Sequence, residues 1–432
     1  MLRKLRFYSR LLIAFAAKYQ RGIVTGMLVG IAFFIFSPKI YRGFLKFKPG
    51  QRIAVVGRYT LTDIPLNIQK QISGGLTRID EAGQALPYLA ESWQATDEGK
   101  TYIFKIRSDI KWQNGKNIVS HDLDYKFSDA RFEYPDDHTL KITSAEPYAA
   151  LPVTLARPVF KSGLLGWGEY KVVSTKRNGL LIEELLLEPL NTDLTKPRIN
   201  YRFYQSENLA KMAFKLGLVN VLDEVSKLNE IEQWPHINIT KKVHYDRYVG
   251  VFFNATRLDK NMRQALSYAI DKSRWPNRAL GPISPMSWAY NPDIKPYNYD
   301  LAKALLKKPD TITLSTLPVY SEIAETVKQD WEKAGIKVNV EVVNSIPEDF
   351  TATIFTQVTP PDPDQYNLWH STQGTNNTHL DNKRIDKLLE DGRRTVDPKL
   401  RLGIYQDFQK FLLEEAPVAF LFYQTTYTII RK

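Results

Sequence analysis

The chain has 432 residues, 43% of them apolar and 25% charged, with a formal net charge of +12. That length exceeds one compact unit and implies two or three lobes with enough apolar material for sizeable cores. With no cysteine, it has no disulfide framework, no thiolate metal site, no cysteine nucleophile and no lipid-modified N-terminal cysteine. The charge excess is local. Residues 1–50 hold ten Lys/Arg and no Asp or Glu, whereas 51–432 hold 49 basic and 47 acidic residues. The body is nearly neutral, so no nucleic-acid surface is implied.

From the N-terminus, residues 1–21 form a basic segment suited to the cytoplasmic face or the membrane surface. Gly22 to Pro38 is 17 residues without a charge. As a helix it would reach about 25 Å, the short end of a spanning segment. Tyr19 and Tyr41 stand at interfacial positions, and Arg21 and Lys39 can snorkel outward. Six basic residues precede the segment and four follow it, which favours a cytoplasmic N-terminus. A cleaved signal peptide is the competing reading. Phe33-Phe34-Ile35-Phe36 fills the place where its small-residue cleavage site would lie, so an uncleaved anchor is expected. Gly22, Gly26 and Gly30 make two overlapping GxxxG steps; they either form a self-association face or reflect the frequency of glycine in membrane helices. Residues 39–50 read as a linker punctuated by Pro49-Gly50.

The body mixes strands and helices. Arg52–Val56 is a short β-type run. Thr101–Arg107 alternates as a half-buried strand between the Asp97-Glu98-Gly99 and Asn114-Gly115 turns. Glu207–Leu216 and Asn261–Ile270 have helical spacing. Glu322–Ala334 predicts a helix stopped by Gly335, followed by an alternating strand over Ile336–Val343. Leu400–Leu413 predicts a long amphipathic helix, and Val418–Tyr423 an apolar strand. No internal repeat or low-complexity tract is present.

Catalytic motifs are not found. Glu98-Gly99-Lys100-Thr101 resembles a phosphate-binding loop, but Gln94 stands where the first glycine is required and the motif precedes a strand. A hairpin turn fits better. There is no GxGxxG, GxSxG or HExxH pattern. The six histidines are scattered; His370 and His379 read better as loop residues than as a metal pair, and no metal or cofactor is expected. Asp362 and Asp364, in Thr359-Pro360-Pro361-Asp362-Pro363-Asp364, lie on a stiff loop without an identifiable acid/base partner. The chain is therefore not expected to be an enzyme. Trp112, Trp167, Trp288, Trp369 and Tyr366 lie in polar or turn-rich stretches, where they either pack structurally or bind peptides or sugars.

Six blocks, in order over about residues 52–430, resemble the family 5 extracellular solute-binding proteins, the oligopeptide- and dipeptide-binding components of ABC importers. They are Gly75–Trp93 (GLTRIDEAGQALPYLAESW), Gly99–Phe127, Tyr248–Asp271 (YVGVFFNATRLDKNMRQALSYAID), Tyr299–Leu306, Ala334–Val338 and Arg401–Tyr423. The resemblance implies an α/β, two-lobed periplasmic-binding-protein-like clamshell of type II, preceded by the transmembrane helix. Lobe 1 would cover 51–250 with a small trimmed subdomain at about 81–164, lobe 2 would cover 251–415, and 416–432 would return to lobe 1. Ligand would bind in the interlobe cleft, and the closed form would dock on ABC permease subunits with a cytoplasmic ATPase. The body would sit outside the cytoplasm on a single-pass anchor in the cell membrane.

The resemblance also points to site residues. In peptide-binding relatives an aspartate four residues before the proline of the Asp-Pro pair grips the ligand ammonium, and a tryptophan three residues earlier covers a side chain. Here Thr359 and Thr356 hold those positions, and a charge-assisted anchor is lost. Asp362 could replace it from a shifted position, or the ligand could be a capped peptide, a cell-wall fragment or a sugar. The expected ligand-binding residues are Asn254, Thr356, Thr359 and Asp362, with Trp369 or Tyr59 as aromatic walls. Asn254 could instead cap a turn, and Asp362 could rigidify its loop. The expected function is capture of peptides or similar oligomers for import. The alternatives are a surface sensor or scaffold on the same clamshell, or a hydrolase acting in the cleft.

Overall fold

The computed structural model describes residues 50–190, 196–292, 298–306 and 311–432, together with Lys18–Gln20, Gly22 and Thr25–Met27. The anchor expected over 22–38 falls almost wholly outside these residues, as does Gly30. Gly22 and Gly26 are helical and exposed, with nothing within 4 Å of an added Cβ. Among the described residues no helix is long and apolar enough to cross a membrane.

The chain opens with strand β1 (Gln51–Val56) and helix α1 (Leu66–Ile72). It then leaves the main sheet for a smaller unit of β2 (Thr77–Ile79), β3 (Ala85–Pro87), β4 (Ala90–Thr96), β5 (Thr101–Ile106), β6 (Ala130–Asp136), β7 (Thr139–Ser144) and α2 (Leu151–Thr154). Strands β4, β5, β7 and β6 make a four-stranded antiparallel sheet. Trp112 and Phe104 are buried in its core. The Glu98-Gly99-Lys100-Thr101 motif forms the β4–β5 hairpin, where Asp97, Glu98 and Gly99 all have positive φ.

The chain returns through β8 (Tyr170–Asn178), β9 (Leu181–Pro189), β10 (Ile199–Tyr204), α3 (Glu207–Lys215) and β11 (Val221–Val225). The long strand β12 (Ile237–Phe253) then leads into a second half. That half contains α4 (Lys260–Ala269), α5 (Tyr299–Leu305), β13 (Ile312–Thr316), α6 (Ser321–Lys333), β14 (Val338–Val342), β15 (Ala352–Val358), α7 (Tyr366–Trp369), α8 (Lys383–Arg394) and α9 (Pro398–Glu415). Strand β16 (Val418–Arg431) ends the chain.

Ten strands form one sheet in the order β14-β13-β15-β12-β16-β11-β1-β10-β9-β8. The local patterns explain its parts. Ala324, Val327 and Trp331 line the buried face of α6, and the Trp331 indole N–H donates to the Leu266 carbonyl at 2.9 Å. Gly335 ends this region at φ +91°, a conformation glycine adopts without a Cβ penalty. Val249–Phe253 is buried on both sheet faces, as a central strand requires. A Cβ on Gly250 would stand 2.7 Å from the Val418 side chain, so glycine permits the close β12–β16 approach there.

Strands β12 and β16 belong to both halves. The first part of β12 pairs with the end of β16, and the second part with its beginning. Only Arg247–Phe253 of β12 pairs with β15, and only Tyr427–Ile430 of β16 pairs with β11. The ladder breaks in the middle: His244 lies opposite Gln424, but the next pair is Tyr248 with Tyr423. Tyr245, Asp246 and Arg247 thus bulge from β12 where the two halves meet.

Candidate functional site

The bulge gathers polar groups that a regular ladder would have paired away. Asp246 turns its carbonyl toward the segment after β15, where the Thr359 backbone N–H and hydroxyl donate to it at 2.8 and 3.1 Å. Its carboxylate accepts from Arg247 at 3.3 Å through both Nε and Nη2. His244, only 3% exposed, shares a 2.7 Å hydrogen bond with the Thr426 hydroxyl. The Glu224 and Asp246 carboxylates each lie 3.7 Å from its ring. Burial nevertheless outweighs them and holds the imidazolium below its ordinary pKa. In the other half, burial raises the Tyr59 phenol, and the Asp63 and Glu224 charges add to the rise. Its ring packs edge-on to Phe203 at 5.5 Å, and its hydroxyl donates to the Val56 carbonyl at 3.2 Å.

The six sequence-derived candidates therefore separate. Thr359, only 4% exposed, is fastened to the bulge, whereas Tyr59 packs within its own half. Thr356, half-buried on β15, shares a hydrogen bond with the Tyr320 hydroxyl. Asn254, Asp362 and Trp369 are built into the scaffold. Asn254 sits seven residues beyond Arg247, about 20 Å along the strand. There its carboxamide accepts from the Thr256 N–H and hydroxyl at 3.0 and 2.7 Å, capping a turn. Trp369 is buried, with its indole N–H donating to Gln365 at 2.7 Å.

Asp362 does not replace the missing acid at 359. It is 4% exposed and receives both Nη1 and Nη2 of Arg401, at 2.8 and 2.6 Å, and its Oδ1 also accepts the Asp364 N–H. Arg401 is held in place one turn into α9, a helix started by the Asp397 cap and Pro398. Two residues on, Asp364 accepts from Arg393 at 2.9 Å. Burial raises its carboxyl against the pull of that arginine. The loop after β15 is thus fixed by two inward-facing carboxylates.

The two halves also touch away from the bulge. The Trp288 N–H donates to the Ala82 carbonyl at 3.0 Å, and the Ala149 N–H to the Arg393 carbonyl at 2.8 Å. The Arg393 guanidinium lies over Tyr366 at 4.1 Å and Tyr148 at 5.2 Å. Gly83, at φ +86°, lies against the Pro361 carbonyl, where a Cβ would collide.

A two-part body, joined by two crossing strands and closed at its edges, is an arrangement for enclosing a solute. The family model for bacterial extracellular solute-binding proteins, family 5, matches residues 84–379. The chain belongs to this family. Family 5 relatives include the Di/tripeptide-binding protein 1 of Pseudomonas aeruginosa, 25% identical with 83% of this chain and 84% of the relative covered. The Oligopeptide-binding protein AppA of Bacillus subtilis is 24% identical, covering 84% and 83%. Among solved structures, the fold is similar to Campylobacter jejuni NikZ in complex with Ni(L-His), with TM-score 0.72, 23% identity and 89% and 94% coverage. It is also similar to the Listeria monocytogenes substrate-binding protein CtaP, with TM-score 0.75, 21% identity and 89% and 94% coverage. These neighbours share the two-lobed, mixed α/β architecture of periplasmic binding proteins. The family and its relatives are binding proteins, not enzymes.

Sequence reasoning missed the bulge residues Tyr245, Asp246 and Arg247 and the Arg401 partner of Asp362. The one available signal was the change within β12 from the polar run Lys241–Arg247 to the apolar run Tyr248–Phe253.

Two outcomes test this geometry. Asp362→Asn leaves Arg401 without its buried counter-charge and should cost about 3–5 kcal/mol in urea denaturation. The double variant Asp362→Leu/Arg401→Met should recover most of that loss; a single variant as stable as the wild type would mean the pair is not formed. His244 is held neutral in the fold, so the unfolded chain takes up the proton first as pH falls through its ordinary pKa near 6.5. Its contribution to stability is complete above that pH and is lost on acidification. Melting curves from pH 7.5 to 5 should therefore fall less steeply for His244→Gln than for the wild type, and equal slopes would refute the assignment.

Proposed function

We propose that this protein captures peptides or similar oligomers in the cleft above the β12 bulge and delivers them to the permease subunits of an ABC importer. In this reading lobe 1 covers 51–250, with the 81–164 subdomain, and 416–432 returns to it; lobe 2 covers 251–415. The segment 22–38 tethers the body to the outer face of the cell membrane. The observation that supports the reading is the break in the β12–β16 ladder at the junction of the two halves, where Asp246, Arg247 and Thr359 meet.

The ligand's end is recognised without a carboxylate at position 359. Thr359 spends its hydroxyl on Asp246, and Asp362 is neutralised by Arg401. Tyr59, Thr356, Asp246 and Arg247 supply the polar and aromatic groups of the floor, offering both signs of charge. This fits a zwitterionic or capped oligomer better than one held by its ammonium alone. The peptide-binding names of the Pseudomonas and Bacillus relatives support the same ligand class.

Native mass spectrometry of the full-length protein, purified in detergent from rich medium, should reveal a co-purifying oligomer. Protein that is ligand-free and shows no thermal shift with peptide or muropeptide libraries would overturn the reading. Closure has its own test. Gly83→Val places a branched side chain against the Pro361 backbone at a φ that strains it. It should hold the halves apart, raise the radius of gyration in X-ray scattering and weaken ligand binding at least tenfold. An unchanged scattering curve would show that the Gly83–Pro361 contact does not control closure.

A further inference from the structure

Away from the bulge, the outer edge of the second half brings two cations, Lys272 and Arg278, together near the Asp271 and Asp330 carboxylates, whose charges act on them without a direct contact among the described residues. Lys272, 6% exposed, follows α4 and donates to the Ser267 carbonyl. Arg278 lies on the short segment that pairs with β16 at Phe422. Its Nε is buried and has no hydrogen-bond partner among the described residues. The nearby carboxylates are already engaged. Asp330 accepts from Arg274 at 2.8 Å and from the Asp271 N–H at 3.0 Å. Asp271 caps Ser273, accepting from its N–H and hydroxyl at 3.0 and 2.6 Å, and faces Arg274 at 3.7 Å.

Between Lys272 and Arg278 lies a cavity of about 40 Å³, walled also by Gln264, Tyr268, Leu413 and Phe420. That is roughly three times the space one ordered water needs. Among the described residues no carboxylate lines it. Arg278 is half-buried, and only its Nε–H is closed off without a partner; an arginine cannot relieve that by losing its proton, and an unsatisfied buried donor is costly. Lys272 shows the same stress: burial, and then the Arg278 charge, push its ammonium down to about 7.

We propose that this cavity binds one compact monoanion, of chloride or carboxylate size, between Lys272 and Arg278. The donors are the Arg278 Nε–H and the Lys272 ammonium protons not used by Ser267. The apolar walls from Leu413 and Phe420 limit the anion's size. The bound charge ties the loop after α4 to the edge of β16, and it serves the fold of this half independently of any ligand in the cleft.

The test is thermal melting of the full-length protein in sodium isethionate, a bulky anion, with chloride or acetate substituted at constant ionic strength. Both small anions should raise the midpoint saturably, by about 2 °C at tenfold excess over the dissociation constant. Arg278→Gln should abolish the rise, while Lys227→Gln, a surface cation elsewhere, should keep it. A rise that persists unchanged in Arg278→Gln, or no rise in the wild type, would overturn the proposal. Because Arg278→Gln could also loosen the edge, wild-type crystals grown in bromide provide a second reading. An anomalous peak between Lys272 and Arg278 is expected, and a cavity holding only water would refute the site.

Discussion

Everything in this molecule depends on a shared pair of strands. β12 and β16 run through both halves of the ten-stranded sheet, and their ladder is interrupted where the halves meet. On either side of that interruption each strand gains a different neighbour: β15 beside β12, and β11 beside β16. Uninterrupted pairing would make one stiff sheet with its polar groups satisfied by the ladder. The three bulged residues instead leave the β12–β16 ladder at the junction of the two halves, where the Asp246 carbonyl meets Thr359 and Arg247 pairs with β15.

The loop after β15 illustrates how rigidity and recognition are divided. Its two aspartates look like ligand groups in the sequence but face inward to Arg401 and Arg393. Thr359 fastens its beginning to the bulge. Such pairs are weak evidence of added stability, because burying both ions offsets much of their attraction. Their value here is positional. They fix the loop whose first residue, Thr359, is fastened to the bulge at Asp246.

Much of the fold was legible because it rests on local patterns. The period of α6 with Gly335 after it, the apolar run of β12, and the turns at Asp97–Gly99 and Asn114-Gly115 are written within windows of a few residues. The family blocks added the order of the elements. The site was less legible. The bulge exists only as a mismatch between β12 and β16, whose paired residues are separated by about 180 positions, His244 with Gln424 for example. Asp362 finds its partner 39 residues later on another helix. Trp369 sits in a polar stretch, yet Gln365 satisfies its indole and lets it be buried. A sequence window shows that a carboxylate is present, but not whether a cation waits for it across the core.

The long sequence separation between β16 and its partners has a consequence for biosynthesis. Its fourteen residues complete the neighbour contacts of both β11 and β12, so neither half of the sheet can close until β16, about 180 positions after β12, has been made. Until then a nascent chain must expose the unpaired edges of two central strands, a state prone to aggregation.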